Sequence, residues 1–368
     1  MRRLLWLLIS ATALAQSGPQ IQISKTTENL RGVSAVSRQI VWASGTHGTY
    51  LRTIDGGKTW TPAQVPDAGT LDFRAVVAFS ADESFLMSAG PGEQSRIYHT
   101  LDGGQHWQLQ FTNSNPKGFF DSMVFWDAKH GIVLGDPIPD EKGRQHVELL
   151  MTDDGESWHA IPLAQIPEAK EGEGAFAASN TCIAILQSPS SPDPNIWFAT
   201  GGKVARIFHS GDRGKTWEVF DTPILHGPES AGIFSIAFRD AQNGVIAGGD
   251  YKHPDDDGPN LAFTHDGGKT WTLSALKPQA YFSAVAYDRQ VEAAFRREAR
   301  NRNYLVKPLP PERLFIVGED FIFDFRPPAD PRRINGKKKQ GFAFNAVTPF
   351  PEGGALIVGP KGTIAFIP

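Results

Sequence analysis

Cysteine is almost missing: Cys182 is the only one in 368 residues. A disulfide-stapled scaffold and a cysteine-based zinc module are therefore both excluded. Long apolar runs are missing too, since none approaches the ~20 residues that a membrane-spanning helix needs. There is no excess of positive charge, with 36 Lys and Arg against 40 Asp and Glu and a formal net charge of −4. That balance argues against nucleic acid as a partner. Segments with helical periodicity are few. What is abundant is glycine (37) and proline (27), together with 11% aromatic and 40% hydrophobic residues. This is the composition of a folded, turn-rich, all-β chain of many short strands, and it excludes a disordered one. Cys182 sits in Asn180-Thr181-Cys182-Ile183-Ala184-Ile185, which reads as a core strand, so it is expected to be a small buried hydrophobe.

The first residues, MRRLLWLLISATALA, place Arg2 and Arg3 before a short apolar run that ends at Ala13-Leu14-Ala15. This is the pattern of a cleaved export signal, with cleavage expected after Ala15. The remaining chain, 16–368, is expected to be periplasmic or extracellular and to form one domain.

One motif recurs five times: TIDGGKTW at 53–60, TLDGGQHW at 100–107, MTDDGESW at 151–158, SGDRGKTW at 210–217 and THDGGKTW at 264–271. The aligned residues are Asp55, Asp102, Asp153, Asp212 and Asp266, and Trp60, Trp107, Trp158, Trp217 and Trp271. The aspartates lie 47, 51, 59 and 54 residues apart, the mark of a repeat architecture. The chemistry explains the template. The Asp accepts hydrogen bonds from its own turn, the Gly supplies positive φ, and the Trp folds back as an apolar plug. Each motif is thus a self-capping hairpin with a structural role.

These motifs resemble the Asp boxes, or BNR repeats, of sialidase-like propellers and of the photosystem II stability and assembly factors. The resemblance covers the chain after the leader and implies a β-propeller. Strand pairs precede each box, and two further units without a box follow, with Leu314–Gly318 and Ala355–Gly359 matching the second-strand pattern Val245–Gly248. Seven blades are expected, with a first strand such as Phe176–Ile185 in each. Ile21–Lys25 is expected to supply the last outer strand against Thr363–Ile367 and so close the ring, which removes exposed sheet edges. In the sixth unit 288–312 reads as an amphipathic helical insertion carrying Arg296, Arg297, Arg300 and Arg302. With Arg332, Arg333 and Lys337 to Lys339 it forms a basic region suited to a protein or an anionic membrane surface.

If the boxes join the third and fourth strands on one face, the loops leading into first strands and joining second to third strands lie on the other. Those loops give a candidate binding face of Arg31, His47, Arg74, Glu93, Arg96, Asp121, Asp136, Glu173, Lys203, Arg206, Asp250 and Glu319. The stretches from Gly135 to Val147 and from Gly249 to Asn260 read as its two long loops. The acidic run Asp255-Asp256-Asp257 is a weak candidate for Ca²⁺, because it offers hard oxygens without the ligand order of an EF-hand.

Family resemblance favours a non-enzymatic assembly scaffold, expected to be a monomer without cofactor, that holds a protein or polar ligand on this face. A glycoside hydrolase or carbohydrate-binding protein is the alternative, with Asp121, Asp136 and Glu173 as candidate acids. The resemblance to sialidases implies an arginine clamp, for which Arg31 and Arg74 are available. The Arg-Ile-Pro signature is absent, however, and no Arg begins the first strands of units four to seven.

Overall fold

A computed structural model of the chain describes residues 18–187, 193–275, 280–288, 313–318, 321–325, 332–333 and 343–368. The leader at 1–15, most of the 288–312 insertion, Glu319 and Lys337 to Lys339 lie outside the described residues.

The chain is an all-β β-propeller. Among the described residues the strands form seven hydrogen-bonded sheets, each antiparallel, and the only helices are the 3-10 turns Gly92–Gln94 and Leu163–Gln165. The first complete sheet shows the plan: Leu30–Ala35, Val41–Gly45, Thr49–Thr53 and Thr61–Gln64 follow one another as a meander. Its second strand is buried at every position. The same holds for Ser84–Ala89, Gly244–Asp250, Leu314–Gly318 and Ala355–Gly359. Continuously buried, largely apolar strands of this kind are what a sheet needs when neighbouring sheets cover both of its faces. The core is accordingly a set of layers between sheets. One of them joins Leu51 and Trp60 of the first sheet to Leu356, Val358 and Ile364 of the last.

Seven inner strands run in a circuit. Leu30–Ala35 touches Asp72–Ala78, and contacts pass in turn to Phe120–Phe125, Ile183–Leu186, Ala231–Phe238, Phe282–Tyr287 and Ala346–Pro349, which returns to Leu30–Ala35. The two ends of the chain meet in one sheet. Gln20–Gln22 pairs antiparallel with Thr363–Ile367, Gln20 opposite Phe366 and Gln22 opposite Ile364. The closing strand therefore lies one residue earlier than Ile21, and Ser24 is already tucked into the interior.

The expected first strand Phe176–Ile185 is corrected. Only Ile183–Leu186 is a strand, and the residues before it leave the sheet. Glu173–Gly174 pairs instead with Gly201–Gly202, which in turn borders Ala231–Phe238. Residues 175–181 then cross the middle of the ring. Asn180, at φ +63°, aligns its amide with the Met123 backbone: Oδ1 accepts from Met123 N at 2.7 Å and Nδ2 donates to Met123 O at 3.0 Å. Ser179 Oγ donates to Ser283 O at 2.7 Å and Thr181 Oγ1 to Ser235 Oγ at 2.7 Å. Side-chain groups thus replace the ladder bonds that a regular strand would have made.

The stretch from Gly135 to Val147 is also not a free loop. Gly131–Pro139 and Gln145–Thr152 continue past the sheet as a paired hairpin that turns at Asp140 to Arg144.

Candidate functional site

The boxes fix the orientation of the molecule. In the first, Asp55 Oδ1 accepts from Thr53 Oγ1 and Thr59 N, both at 2.9 Å, and Oδ2 accepts from Thr59 Oγ1 at 2.6 Å. These bonds, those from Thr59 foremost, hold the Asp55 carboxyl at about 2, below the usual carboxylate range. Asp102, Asp212 and Asp266 repeat the arrangement, with His106, Thr216 and Thr270 as donors. Gly57 must be glycine: its φ is +80°, and an added Cβ would lie 2.2 Å from Gln22 Oε1. Trp60 Nε1 donates to that same Gln22 oxygen at 2.9 Å, which ties the first box to the closing strand.

The third box is one residue tighter than the template. Asp154, not Asp153, receives Thr152 Oγ1, Glu156 N and Ser157 N. Asp153 turns outward to Arg213 at 3.2 Å and His159 at 3.9 Å. The doubled Asp in MTDDGESW allowed two alignments, and the hydroxyl of Thr152 selects the second.

Pairing register puts the box at one end of its sheet, as the first sheet shows. Ala35 lies opposite Val41 and Val41 opposite Thr53 at the box end, while Leu30 lies opposite Gly45 at the other. At that other end, around the crossing segment, is a cavity of ≈ 600 Å³. Arg31, Arg74, Asp121 and Asp136 line it, so the structure gathers four of the residues singled out from the sequence.

The arginines share Asp72. Arg74 Nε donates to Asp72 Oδ2 at 2.8 Å, and Arg31 Nε approaches the same oxygen at 4.0 Å. Arg74 Nη1 also donates to Ala177 O at 2.9 Å. Asp72 was not foreseen, although its i, i+2 spacing from Arg74 places both on one face of a strand. Burial, and then the neighbouring Arg74 charge, lower the pKa of Arg31.

The acids line the cavity with Arg74. Asp136 Oδ1 accepts from Ala175 N at 3.0 Å, and burial pushes its pKa up against that bond. Asp121 is 1% exposed, and its Oδ2 has no hydrogen-bond partner. Burial first, and the Asp136 charge second, raise its pKa well above the ordinary carboxylate value. Behind it Cys182 packs against Ser122, Sγ to Oγ 2.9 Å, and burial pushes that thiol up to about 12.

Aromatic rings complete the lining. Phe176 stacks on Phe234 with centroids 3.9 Å apart, and Tyr281 and Tyr251 meet Phe234 edge-on at 4.7 and 6.1 Å. No periodic signal marked these rings, because they come from two separate sheets and the crossing segment.

Other expected residues lie elsewhere. Glu173 and Arg206 bury one another as an ion pair away from the cavity. Lys203 pairs with Glu171 at 2.7 Å on the surface. His47 pairs with Glu28 at 2.7 Å, and that hydrogen bond raises its pKa. Glu93 is exposed and receives Arg96 Nε on its carbonyl at 2.7 Å. For Asp250 burial opposes ionisation, but hydrogen bonds from His253, Ser230 and the Lys252 amide outweigh it and hold the pKa down. The side chains of Asp255, Asp256 and Asp257 are exposed. Among the described residues no group of three or more His, Cys, Asp or Glu is placed to hold a metal ion.

Comparison with known proteins places this architecture. Residues 12–116 match the family model described as photosynthesis system II assembly factor YCF48. The photosystem II assembly lipoprotein Ycf48 of Synechococcus strain CC9902 is 24% identical over 313 residues, covering 74% of this chain and 84% of that protein. The chain is an Asp-box propeller that resembles the photosystem II assembly factors. The stability and assembly factor HCF136 of Arabidopsis thaliana is 22% identical to this assembly-factor-like propeller over 270 residues, 62% of each chain. A sialidase of Bacteroides fragilis is 24% identical over 229 residues, 60% of this chain but 36% of that enzyme. YCF48 of Cyanidioschyzon merolae shares the fold, with a TM-score of 0.59 and 15% identity over 95% of this chain and 98% of that one.

Proposed function

We propose that this chain is a non-enzymatic binding scaffold that holds a segment of a protein client in the cavity opposite the Asp boxes. The observation that carries the reading is how the cavity is braced. Arg74 is fixed by Asp72 and Ala177, and Asp136 by Ala175, so the crossing segment and both polar walls are anchored before any ligand arrives. Preorganisation of this kind lowers the cost of binding. A cavity of ≈ 600 Å³ has room for several side chains of a ligand. Similarity to the photosystem II assembly proteins supports an assembly role, with a client that this similarity does not identify.

The same proposal includes a seven-bladed ring. It is supported by the seven sheets and by the closed circuit of inner-strand contacts. It also includes export, supported by the arginine-led apolar run at the start of the sequence, and a monomeric state.

The test is site-directed photocrosslinking in the host envelope. A crosslinker at Tyr251, on the cavity rim, should join one extended stretch of a client, whereas one at Lys58, in the first box, should not. Crosslinks confined to Lys58 would overturn the reading.

One observation favours a glycoside hydrolase instead: Asp121 and Asp136 line one cavity, and both are pushed toward the protonated form. Turnover on a panel of aryl glycosides that disappears in both Asp121→Asn and Asp136→Asn would establish that alternative and remove the scaffold reading.

A further inference from the structure

The cavity's charges are largely answered from within the protein, Asp121 itself by the Ala177 amide and the Arg74 charge, but one carboxyl oxygen is not. Arg74 is bonded to Asp72 and to Ala177 O. Arg31 Nε makes no hydrogen bond, yet it stands 4.0 Å from Asp72 Oδ2, so its charge is opposed even though the bond is not made. Asp121 is different. Its Oδ2 is buried with no donor, in a side chain that is 1% exposed and lines the cavity. Asp136, on the same lining, gives Oδ1 to Ala175 N. A buried polar oxygen left without a partner is costly, and ionising Asp121 beside Asp136 adds repulsion between two carboxylates. The group that relieves both costs is a cationic donor.

The aromatic lining fits the same ligand. Phe176, Phe234 and Tyr251 form a connected wall, and Tyr251 is 46% exposed at its rim. Aromatic faces attract alkylammonium and guanidinium groups and pack against their aliphatic stems.

We propose that Asp121, Asp136 and the wall of Phe176, Phe234 and Tyr251 form a subsite for a lysine or arginine side chain of the held segment. This rests on the cavity being the segment-binding site.

Binding is then an exchange of a cation for a proton. The groups facing Asp121 are Asp136, Arg74 and the neutral Cys182 thiol, with Arg31 and Asp72 beyond Arg74. While Asp121 keeps its proton, the two arginines balance Asp72 and Asp136. When the ligand's ammonium or guanidinium arrives, the Asp121 proton leaves to solvent, and the carboxylate formed receives the ligand's N–H. One negative charge appears and one positive charge opposes it.

The experiment is calorimetric titration of the full chain with three blocked tripeptides, Ac-Ala-X-Ala-amide, in which X is lysine, norleucine or glutamate. The lysine peptide should bind about tenfold more tightly than the norleucine peptide, as a charge-assisted hydrogen bond requires. Its affinity should rise as pH climbs above the ordinary carboxylate range toward the raised value of Asp121, with a proton released whose heat scales with the ionisation enthalpy of the buffer. Asp121→Asn should abolish both the lysine preference and the proton release. Tyr251→Ala, a substitution at an exposed ring, should reduce the preference in a chain whose melting is unchanged. Equal binding of the lysine and norleucine peptides, tighter binding of the glutamate peptide, or a lysine preference that survives Asp121→Asn would overturn the subsite and leave the segment-binding reading standing. Absence of binding by all three, together with crosslinking confined to the box face, would overturn both.

Discussion

Arg206 grips Glu173 with two parallel hydrogen bonds, Nε to Oε1 at 2.9 Å and Nη2 to Oε2 at 2.5 Å, in a site where the carboxylate is 0% exposed. Thr200 Oγ1 and Lys170 N complete the carboxylate's shell at 2.6 and 2.7 Å. Both residues looked like ligand-facing groups in the sequence, yet they form an internal fastening between the Glu173–Gly174 strand and its neighbours. Removing one partner leaves a buried charge unopposed. Arg206→Ala should therefore lower stability by about 3–5 kcal/mol, read by urea denaturation, while ligand binding to the folded protein is unchanged.

Asp121 should make stability depend on pH in an unusual direction. Its pKa is raised in the folded state by burial first and by Asp136 second, so the folded form holds the proton more tightly than the unfolded form. The stability that this contributes is fully present below the unfolded value of about 3.9. It is lost as pH rises through the raised folded value. Asp121→Asn keeps a neutral polar group there. Thermal midpoints measured across pH should show the Asn variant at least as stable as the parent at neutral pH, with a flatter profile on the alkaline side.

The third box offers a direct contrast between adjacent aspartates. Asp154 carries the turn's hydrogen bonds, and those bonds, with Ser157 N foremost, hold its carboxyl well below the ordinary range. Asp154→Ala should lower the melting temperature by an amount on the order of a few °C. Asp153→Ala, which removes only exposed ion pairs, should leave it almost unchanged. Because the Asp154 pKa is depressed, its contribution is present above the unfolded value and fades as pH falls through the folded one. The gap between the two variants should close in acid.

Asn180 pins the crossing segment to Met123 on one side of Cys182. In the native protein Cys182 is fully buried and its thiol is pushed up to about 12, so thiol reagents should label it only through opening of the fold. Asn180→Ala removes two part-buried hydrogen bonds and should cost about 1–3 kcal/mol. Labelling of Cys182 should accelerate in step, with Met123 amide exchange rising alongside it.

Much of the architecture was legible in the chain itself. The box template encodes a turn through contacts within eight residues, so Asp55, Asp102, Asp212 and Asp266 could be placed without any knowledge of the rest of the molecule. Alternation of strands and boxes then fixed which ends of the sheets face together, and Arg31, Arg74, Asp121 and Asp136 were among twelve residues assigned to that face, most of which the cavity does not hold. The choice between Asp153 and Asp154 was equally local but ambiguous. Two registers satisfied the pattern, and the hydrogen bonds from Thr152, Glu156 and Ser157 to Asp154 separated them.

What the sequence determined by itself was the repeated local unit, because short-range hydrogen bonding and side-chain alternation are written in adjacent residues. What only the tertiary structure decided was which charged groups are spent on one another and which remain available. Glu173 met Arg206 from 33 residues away, Arg74 met Ala177 from 103, and Phe176 left its expected strand to stack on Phe234. Such pairings depend on closure of the ring, which brings distant segments to one axis, and no local pattern of residues carries that distance.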